Sequence, residues 1–191
     1  MDRGYYVMYG PLIMRPPVLF VGYQPGGDDR DFGIPQRPPA PGLPLESYYA
    51  TDEWKLAVVM RKLWGRELMA KSTGLNAIFF RSPRIKVYET EVPRTVRRDA
   101  AAFCVPMVEK LVNALHPRLA VVIGFRSLEL FGPVKTELQS SAGRALVKRG
   151  TIGDHSAYAT LHLSGARISL ADLESIGNFV TNRLAESESL P

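Results

Sequence analysis

One ten-residue stretch, from Val18 to Gly27, limits what this chain can fold into more than any other. Residues 18–21 (VLFV) are apolar and rich in β-branched and aromatic side chains, which is typical of a short buried strand. Gly22 ends that strand, Pro25 lacks an N–H, and the glycines allow the backbone to approach a ligand closely. Open α/β sheets bind ligands beyond the carboxyl ends of their strands, so the stretch predicts a ligand site. A tight turn without chemistry is the alternative.

Composition limits the class of protein. The 191 residues are 46% hydrophobic and 23% charged, as expected for one globular domain with a full core. No apolar run is long enough to cross a membrane and no signal pattern precedes the first strand, so we expect a cytoplasmic protein. The single cysteine, Cys104, rules out an internal disulfide or a four-cysteine metal site. A net charge of +5 favours polyanionic partners, nucleic acid first.

Apolar segments alternate with helical patterns along the chain. Strands are predicted at 18–21, 75–80, 119–124 and 157–161, and helices at 52–70, 97–115, 127–131 and from 169 onward. Ser169 and Asp172 supply a capping signal for the last helix. The pattern predicts a three-layer α/β sandwich, in which a four-stranded parallel sheet carries helices on both faces, in a single domain over residues 1–191.

Three segments are predicted to be irregular. Residues 1–17 contain Gly and Pro and are expected to lie over the surface before the first strand. Residues 28–47 carry five prolines, so they are expected to form a long loop, either functional or merely solvated. Residues 133–154 are expected to hold a loop with one short helix.

Polar residues follow three of the predicted strands. Gln24, Ser82 and His162 each stand just beyond an apolar segment. Because the carboxyl ends of parallel strands meet at one edge of a sheet, we expect these side chains to share that edge. Cys104 lies on the apolar stripe of a predicted helix and is expected to be a core residue.

Two of these strand ends resemble the motifs of the uracil-DNA glycosylase superfamily. Residues 22–26 (GYQPG) are similar to the family's first motif, Gly-x-(Asp or Asn)-Pro-(Gly or Tyr), and residues 162–165 (HLSG) to its second, His-Pro-Ser-(Gly or Pro). Residues 75–77 (LNA) resemble the start of the strand with the family's base-reading Asn, and residues 115–118 (LHPR) its helix–strand junction. The resemblance covers residues 18–167 and implies a uracil-DNA glycosylase-like fold.

The resemblance implies an enzyme that flips uracil or another deaminated or damaged base out of DNA and hydrolyses its N-glycosidic bond, with no metal or cofactor. In it, His162 donates a hydrogen bond to the departing base, with a His that only caps the end of the strand as the alternative, and Gln24 orients the attacking water. Asn76 reads the polar edge of the base, with a purely structural role as an equal alternative. Phe32 stacks on the base, with Tyr23 and either Tyr48 or Tyr49 as rivals.

The resemblance implies two further sets of contacts. The base pocket is lined by Gly22, Tyr23, Pro25 and Gly26. The cations around Ser82 at the end of the second strand, Arg81 and Arg84, indicate a loop that contacts DNA phosphates, with a solvated basic turn as an equal alternative. Ser164, Gly165 and Arg167 could hold a further phosphate. Gly26 stands where strict uracil-excising members carry Tyr, so weak selectivity against 5-substituted pyrimidines is expected. The expected partner is single- or double-stranded DNA, bound by a monomer away from membranes.

Two departures from the family pattern leave a second function open. Gln24 is one methylene longer than the family's Asp or Asn and cannot act as a base, so it either orients water or only hydrogen-bonds the loop backbone. Leu163 replaces the family's Pro and either softens the loop or supplies an apolar wedge between bases. The alternative function is therefore a catalytically silent protein on the same fold that binds nucleic acid or a nucleobase.

Overall fold

The computed structural model describes residues 4–26, 46–164 and 168–188. Its strands are β1 (Val18–Gly22), β2 (Thr73–Asn76), β3 (Leu119–Ile123), β4 (Lys135–Gln139), β5 (Ala145–Ile152) and β6 (His155–Thr160). Its helices are α1 (Tyr48–Thr51), α2 (Lys55–Ala70), α3 (Ile85–Glu91), α4 (Arg94–Leu115), α5 (Phe125–Glu129) and α6 (Leu170–Glu188). The strands form one mixed sheet in the order β2-β1-β3-β6-β5-β4.

The α/β class is confirmed, but the prediction of a four-stranded parallel sheet omits two of the six strands. Strands β2, β1, β3 and β6 are parallel, and β5 and β4 extend the sheet antiparallel from β6. The prediction of a loop with a short helix over residues 133–154 was wrong because this segment forms the β4–β5 hairpin. β4 is mostly polar and has register shifts against β5, as is usual at a sheet edge, so it lacks the apolar signature of a buried strand.

Alternate residues of the parallel strands build a core on each face of the sheet. On one face, Val18 and Phe20 of β1 pack with α2 and α6 through residues such as Met60 and Ile176. On the other face, the intervening β1 residues pack with α4, whose Cys104 is fully buried as predicted. Helices on both faces are therefore confirmed, and the two-residue period of a strand explains how one apolar run serves both cores.

The helices follow the predicted order with shifted ends. α4 begins at Arg94, a few residues before its predicted start, and contains Pro106. α5 begins at Phe125. The capping signal of the last helix is confirmed, because the N–H of Asp172 donates to Oγ of Ser169 at 3.1 Å. None of the described helices is long and apolar enough to span a membrane.

The segment before β1 is predicted to lie over the surface, but in the structure it runs along the outer edge of β2. Tyr6 N–H donates to the carbonyl of Phe79 at 2.8 Å, and Tyr9 N–H donates to that of Gly74 at 2.9 Å. Without this segment the outer edge of β2 would leave backbone groups unpaired. The consequence is that aromatic side chains of the N-terminal segment reach the carboxyl end of the sheet.

β2 is shorter and earlier than the predicted strand, and this changes the position of Asn76. The strand ends at Asn76, which is in register with Gly22 at the end of β1. The next residues leave the sheet but stay bonded to the loop after β1, with Ala77 N–H donating to the Gly22 carbonyl at 2.8 Å. Asn76 therefore lies at the carboxyl edge of the sheet and not at the start of a strand.

Gly74 supplies the space for the aromatic residues beside this edge. A Cβ at residue 74 would lie 2.5 Å from Cε2 of the buried Tyr49 and 3.0 Å from Cβ of Tyr9. We expect Gly74→Ala to lower the free energy of unfolding by about 1–3 kcal/mol, since an overpacked core must shift its rings. Thermal or urea unfolding measures this, with Gly26→Ala as the control, because a Cβ there meets nothing closer than 4.0 Å. Equal stability of the two variants would contradict the expectation.

Candidate functional site

A cavity of about 500 Å³ opens at the carboxyl ends of the four parallel strands. This volume lies within the range of about 300–1,000 Å³ that is usual for small-molecule sites. Residues at or just beyond the ends of all four strands line it: Gly22, Tyr23, Gln24, Asn76, Ile123, His162 and Ser164. The other lining residues come from the N-terminal segment, the loop after β1, α1, the start of α2, and the β2–α3 connection with the first residue of α3: Tyr9, Gly26, Tyr49, Trp54, Lys55, Leu56, Ser82, Pro83, Arg84 and Ile85.

The chain topology explains why the cavity forms there. From β1 the chain passes through α2 to β2 on one side, and then through α4 to β3 on the other side of β1. The connections leave neighbouring strand ends in opposite directions and open a crevice between them, which is the usual ligand site of a parallel sheet. The prediction that Gln24 and His162 share one sheet edge is confirmed, because both line this cavity.

Gln24 is held by the backbone of the neighbouring loop. Its Nε2 donates to the carbonyl of Ser82 at 3.3 Å, and the N–H of Ser82 donates to the carbonyl of Pro25 at 3.2 Å. The side chain is 9% exposed, and its Oε1 has no hydrogen-bond partner. The bond to Ser82 fixes which end of the amide is the donor, so the buried Oε1 is the acceptor that Gln24 leaves unused.

Asn76 shows the same asymmetry. It is fully buried, and its Nδ2 donates to the carbonyl of Tyr6 at 3.1 Å, while Oδ1 has no partner. A Cβ on Gly22 would lie 3.2 Å from this oxygen, so the glycine keeps the space beside it open. A buried acceptor without a partner costs about 1–3 kcal/mol, which a ligand that donates a hydrogen bond would recover.

Burial of His162 favours the neutral form of its imidazole. Burial lowers the pKa of its imidazole below the usual value of 6.5. Oγ of Ser164 lies 3.2 Å from its Nδ1. When the hydroxyl of Ser164 donates to Nδ1, the imidazole proton is on Nε2, and the ring then acts as a neutral hydrogen-bond donor.

Aromatic rings form one wall of the cavity. Tyr9, Tyr49 and Trp54 contact one another with ring centroids 5.5–5.7 Å apart. Burial raises the pKa of Tyr9 to about 12, and a hydrogen bond from Asn76 opposes this shift. Trp54 has a buried Nε1 with no partner. The wall thus offers flat apolar surface together with an unused N–H donor.

The charged residues of the cavity lining are all cations. Lys55 and Arg84 are both exposed, and within the described ranges no Asp or Glu lines the cavity. Arg81 lies outside the lining, although its charge lowers the pKa of Tyr9. An anionic group at the cavity mouth would therefore meet positive charge without a competing carboxylate.

Most of the predicted site residues are brought together. Nine of the predicted residues line the cavity: Gly22, Tyr23, Gln24, Gly26, Asn76, Ser82, Arg84, His162 and Ser164. Pro25 and Arg81 are close in sequence to this set but do not line the cavity. Phe32, Gly165 and Arg167 lie outside the described residues.

Other residues of the cavity were not predicted from the sequence. Tyr9 belongs to a tyrosine-rich N-terminus that was assigned to the surface, and Trp54 was assigned to the apolar stripe of a helix. Trp54 instead caps α2, just before its first residue, Lys55. Leu163 is 4% exposed and packs in the core, so an exposed wedge between bases is excluded.

The chemistry of the site has to be inferred from its own residues. No family model and no curated protein matches the chain. Within the described residues, no group of three or more His, Cys, Asp or Glu could hold a metal ion. The residues that line the cavity bring two buried, unpartnered amide oxygens, an imidazole whose neutral form burial favours, aromatic rings and two exposed cations.

Proposed function

We propose that this protein is a DNA glycosylase-like enzyme that binds a flipped, altered base in this cavity and hydrolyses its N-glycosidic bond. One observation carries the proposal. Gln24, whose buried Oε1 has no partner, and His162, whose neutral form is favoured by burial, line the same cavity at the carboxyl ends of parallel strands. The likeness of the motifs around these two residues to the uracil-DNA glycosylase superfamily supports the same assignment.

His162 suits the departure of the base, and Gln24 suits the attack of water on the sugar. The bond between the sugar C1′ and the base nitrogen breaks, and its electron pair leaves with the base. His162 donates a hydrogen bond to the base as this negative charge develops. A water molecule donates a hydrogen bond to Oε1 of Gln24 and attacks C1′. The sugar gains the hydroxyl, and the base takes up the remaining proton, so no other reactant is needed.

The cavity also has the means to hold a base and the strand attached to it. Tyr23 and Trp54, which are both partly exposed, offer rings on which a flipped base can stack. Lys55 and Arg84 can contact phosphates at the mouth, where the described lining has no carboxylate to repel them.

A panel of damaged oligonucleotides tests the proposal. Uracil, hypoxanthine, xanthine, 5-hydroxyuracil and 5-hydroxycytosine are placed in single- and double-stranded DNA, and abasic sites are detected by alkaline cleavage. We expect slow excision of at least one base, since an amide orients water but cannot remove its proton. The absence of abasic sites with every substrate would overturn the enzymatic proposal.

One observation favours a catalytically silent binding protein as the second candidate. Gln24 cannot act as a general base, and no carboxylate in the described lining can take that role. The same cavity would then bind a base without cleaving its bond. Tight binding of damaged DNA by the wild type, with no excision, would establish this function.

Arg84 allows the DNA contact to be tested separately from chemistry. We expect Arg84→Ala to weaken DNA binding uniformly across sequences and to reduce the slope of log affinity against log salt by about one, because one phosphate contact is lost. Fluorescence anisotropy at several salt concentrations measures the slope. Arg98→Ala is the control, since Arg98 is an exposed arginine on α4 that pairs with Asp99 and does not line the cavity. An unchanged slope in Arg84→Ala would remove Arg84 from the interface.

A further inference from the structure

One helix carries a large share of the exposed apolar side chains. Seven large hydrophobic residues are exposed in the described part of the chain, and three of them lie on α4: Val96 (37% exposed), Phe103 (58%) and Met107 (43%). Their spacings of seven and four residues place them along one side of the helix. A single exposed apolar residue is ordinary, whereas a row of them indicates an interaction surface.

The row belongs to a longer stripe on the solvent side of α4. The side of this helix that packs against the sheet is buried. The exposed residues of the stripe follow one another every three or four residues, apart from one adjacent pair, and they extend over about 27 Å at about 1.5 Å per residue. The α4 stripe comprises Val96, Asp99, Phe103, Pro106, Met107, Lys110 and Ala114.

The two charges of the α4 stripe complement each other when two copies of the stripe run in opposite directions. Asp99 lies near one end and Lys110 near the other, at equal distances in sequence from the midpoint between Phe103 and Pro106. A two-fold axis through that midpoint therefore places Asp99 of each copy opposite Lys110 of the other. Two parallel copies would instead place like charges opposite each other, which is unfavourable.

The apolar residues match in the same antiparallel arrangement. Phe103 of one copy meets Pro106 and Met107 of the other at the centre, and Val96 meets Ala114 at each end. The interface then has an aromatic and thioether core between two ion pairs, which is the usual order of an apolar centre and a polar rim.

Asp99 keeps its capacity to pair with a second copy. Within its own chain, Arg98 contacts Oδ1 of Asp99 at 3.2 Å, and both side chains are exposed. A carboxylate has further lone pairs that can accept from an ammonium group.

We propose that the α4 stripe is the interface of a reversible homodimer in which two copies of α4 pack antiparallel. The inference goes beyond the proposed function and is independent of it, because the α4 stripe and the cavity lining share no residue. It differs from the monomer expected from the motif resemblance. A single pair of helices buries little surface, and interfaces below about 1,200 Å² are typical of weak complexes, so the dimer forms at micromolar concentrations.

Sedimentation equilibrium of the full chain, without DNA, tests the dimer. We expect the weight-average mass to rise from 21.2 kDa toward twice that value as the concentration increases from about 1 to 500 μM. A constant monomer mass over this range would overturn the proposal and leave the α4 stripe to a different protein. A mass that keeps rising beyond the dimer would also overturn it, because a two-fold interface is closed.

Phe103→Ala tests whether the dimer uses this helix. We expect its dissociation constant to rise at least about tenfold, since a central aromatic side chain typically dominates such an interface. Leu170→Ala is the control, because Leu170 is 72% exposed on α6, which packs on the other face of the sheet, and it should leave the constant unchanged. Thermal unfolding at low concentration confirms that both variants fold. A wild-type constant in Phe103→Ala would overturn the assignment of the interface to the α4 stripe.

Charge reversal tests the antiparallel arrangement. Asp99→Lys and Lys110→Asp each place like charges opposite each other twice, once on either side of the two-fold axis. We expect each single variant to weaken the dimer by about tenfold, and the double variant to return to within about threefold of the wild type, because it exchanges the two charges. Failure of the double variant to recover, while each single variant weakens the dimer, would overturn the proposed pairing.

Discussion

His162→Ala is expected to lower base excision by about 100- to 1,000-fold. In the proposed reaction, the substitution removes a neutral donor that faces the departing base, and the loss of one such donor in a water-excluded site typically has an effect of this size. The change should appear in the rate of a single turnover, with little change in DNA affinity, since the donor acts as charge develops on the base. Single-turnover kinetics on the best substrate of the oligonucleotide panel measures it.

His155→Ala is the matched control. His155 begins β6, at the opposite end of the strand that leads to His162, and it does not line the cavity. Burial lowers the pKa of both imidazoles below 6.5. Unfolded chains therefore take up protons before the folded protein does, and stability falls as the pH drops below about 6.5 until the lowered pKa values are passed.

Each histidine substitution should therefore make the loss of stability below about pH 6.5 shallower, and only His162→Ala should also slow excision. The comparison of His162→Ala with His155→Ala therefore separates a folding defect from a catalytic one. Full activity of His162→Ala would assign the stabilisation of the leaving base to another donor. The unpartnered Nε1 of Trp54 would then be the first group to test.

The parallel half of the fold was predictable because its strands are buried on both faces. Runs such as residues 119–123 (LAVVI) are continuously apolar, and such a run predicts a strand without any knowledge of its partners. β4 and β5 were missed because a solvated edge hairpin has no such run. Its polar residues are equally compatible with a loop, and only pairing with β6 makes the segment a strand.

Cavity residues that directly follow a strand could be predicted from the sequence. Cavity residues that belong to segments distant in sequence from those strands could not. Gln24 and His162 are placed by the strands that precede them, so a motif in the sequence is sufficient. Tyr9 reaches the cavity only because the N-terminal segment bonds along β2, which is a long-range pairing that no local pattern records. The same N-terminal segment accepts the hydrogen bond from Nδ2 of Asn76, a contact that the sequence around Asn76 could not show.

Gln24→Ala is expected to lower excision by about 100-fold. Water held by Oε1 would lose its orientation, and misplacement of a reacting group by about 1 Å costs a factor of this order. Gln24→Asn should lie between the wild type and Gln24→Ala. The shorter side chain withdraws the amide by about 1.5 Å, one C–C bond, and so cannot both keep the 3.3 Å bond to the Ser82 carbonyl and hold its oxygen in place.

Gln139→Ala is the control for these variants, because Gln139 is an exposed glutamine on the edge strand β4. The measurement is again a single turnover, with thermal unfolding to confirm that each variant folds. If Gln24→Ala excises as fast as the wild type, another group positions the water. Asp28, Asp29 and Asp31 follow Gln24 in the chain, outside the described residues, and are the first carboxylates to replace. Loss of excision in one of their Asn variants would then move the water-activating role from an amide to a carboxylate and would restore a general base to the mechanism.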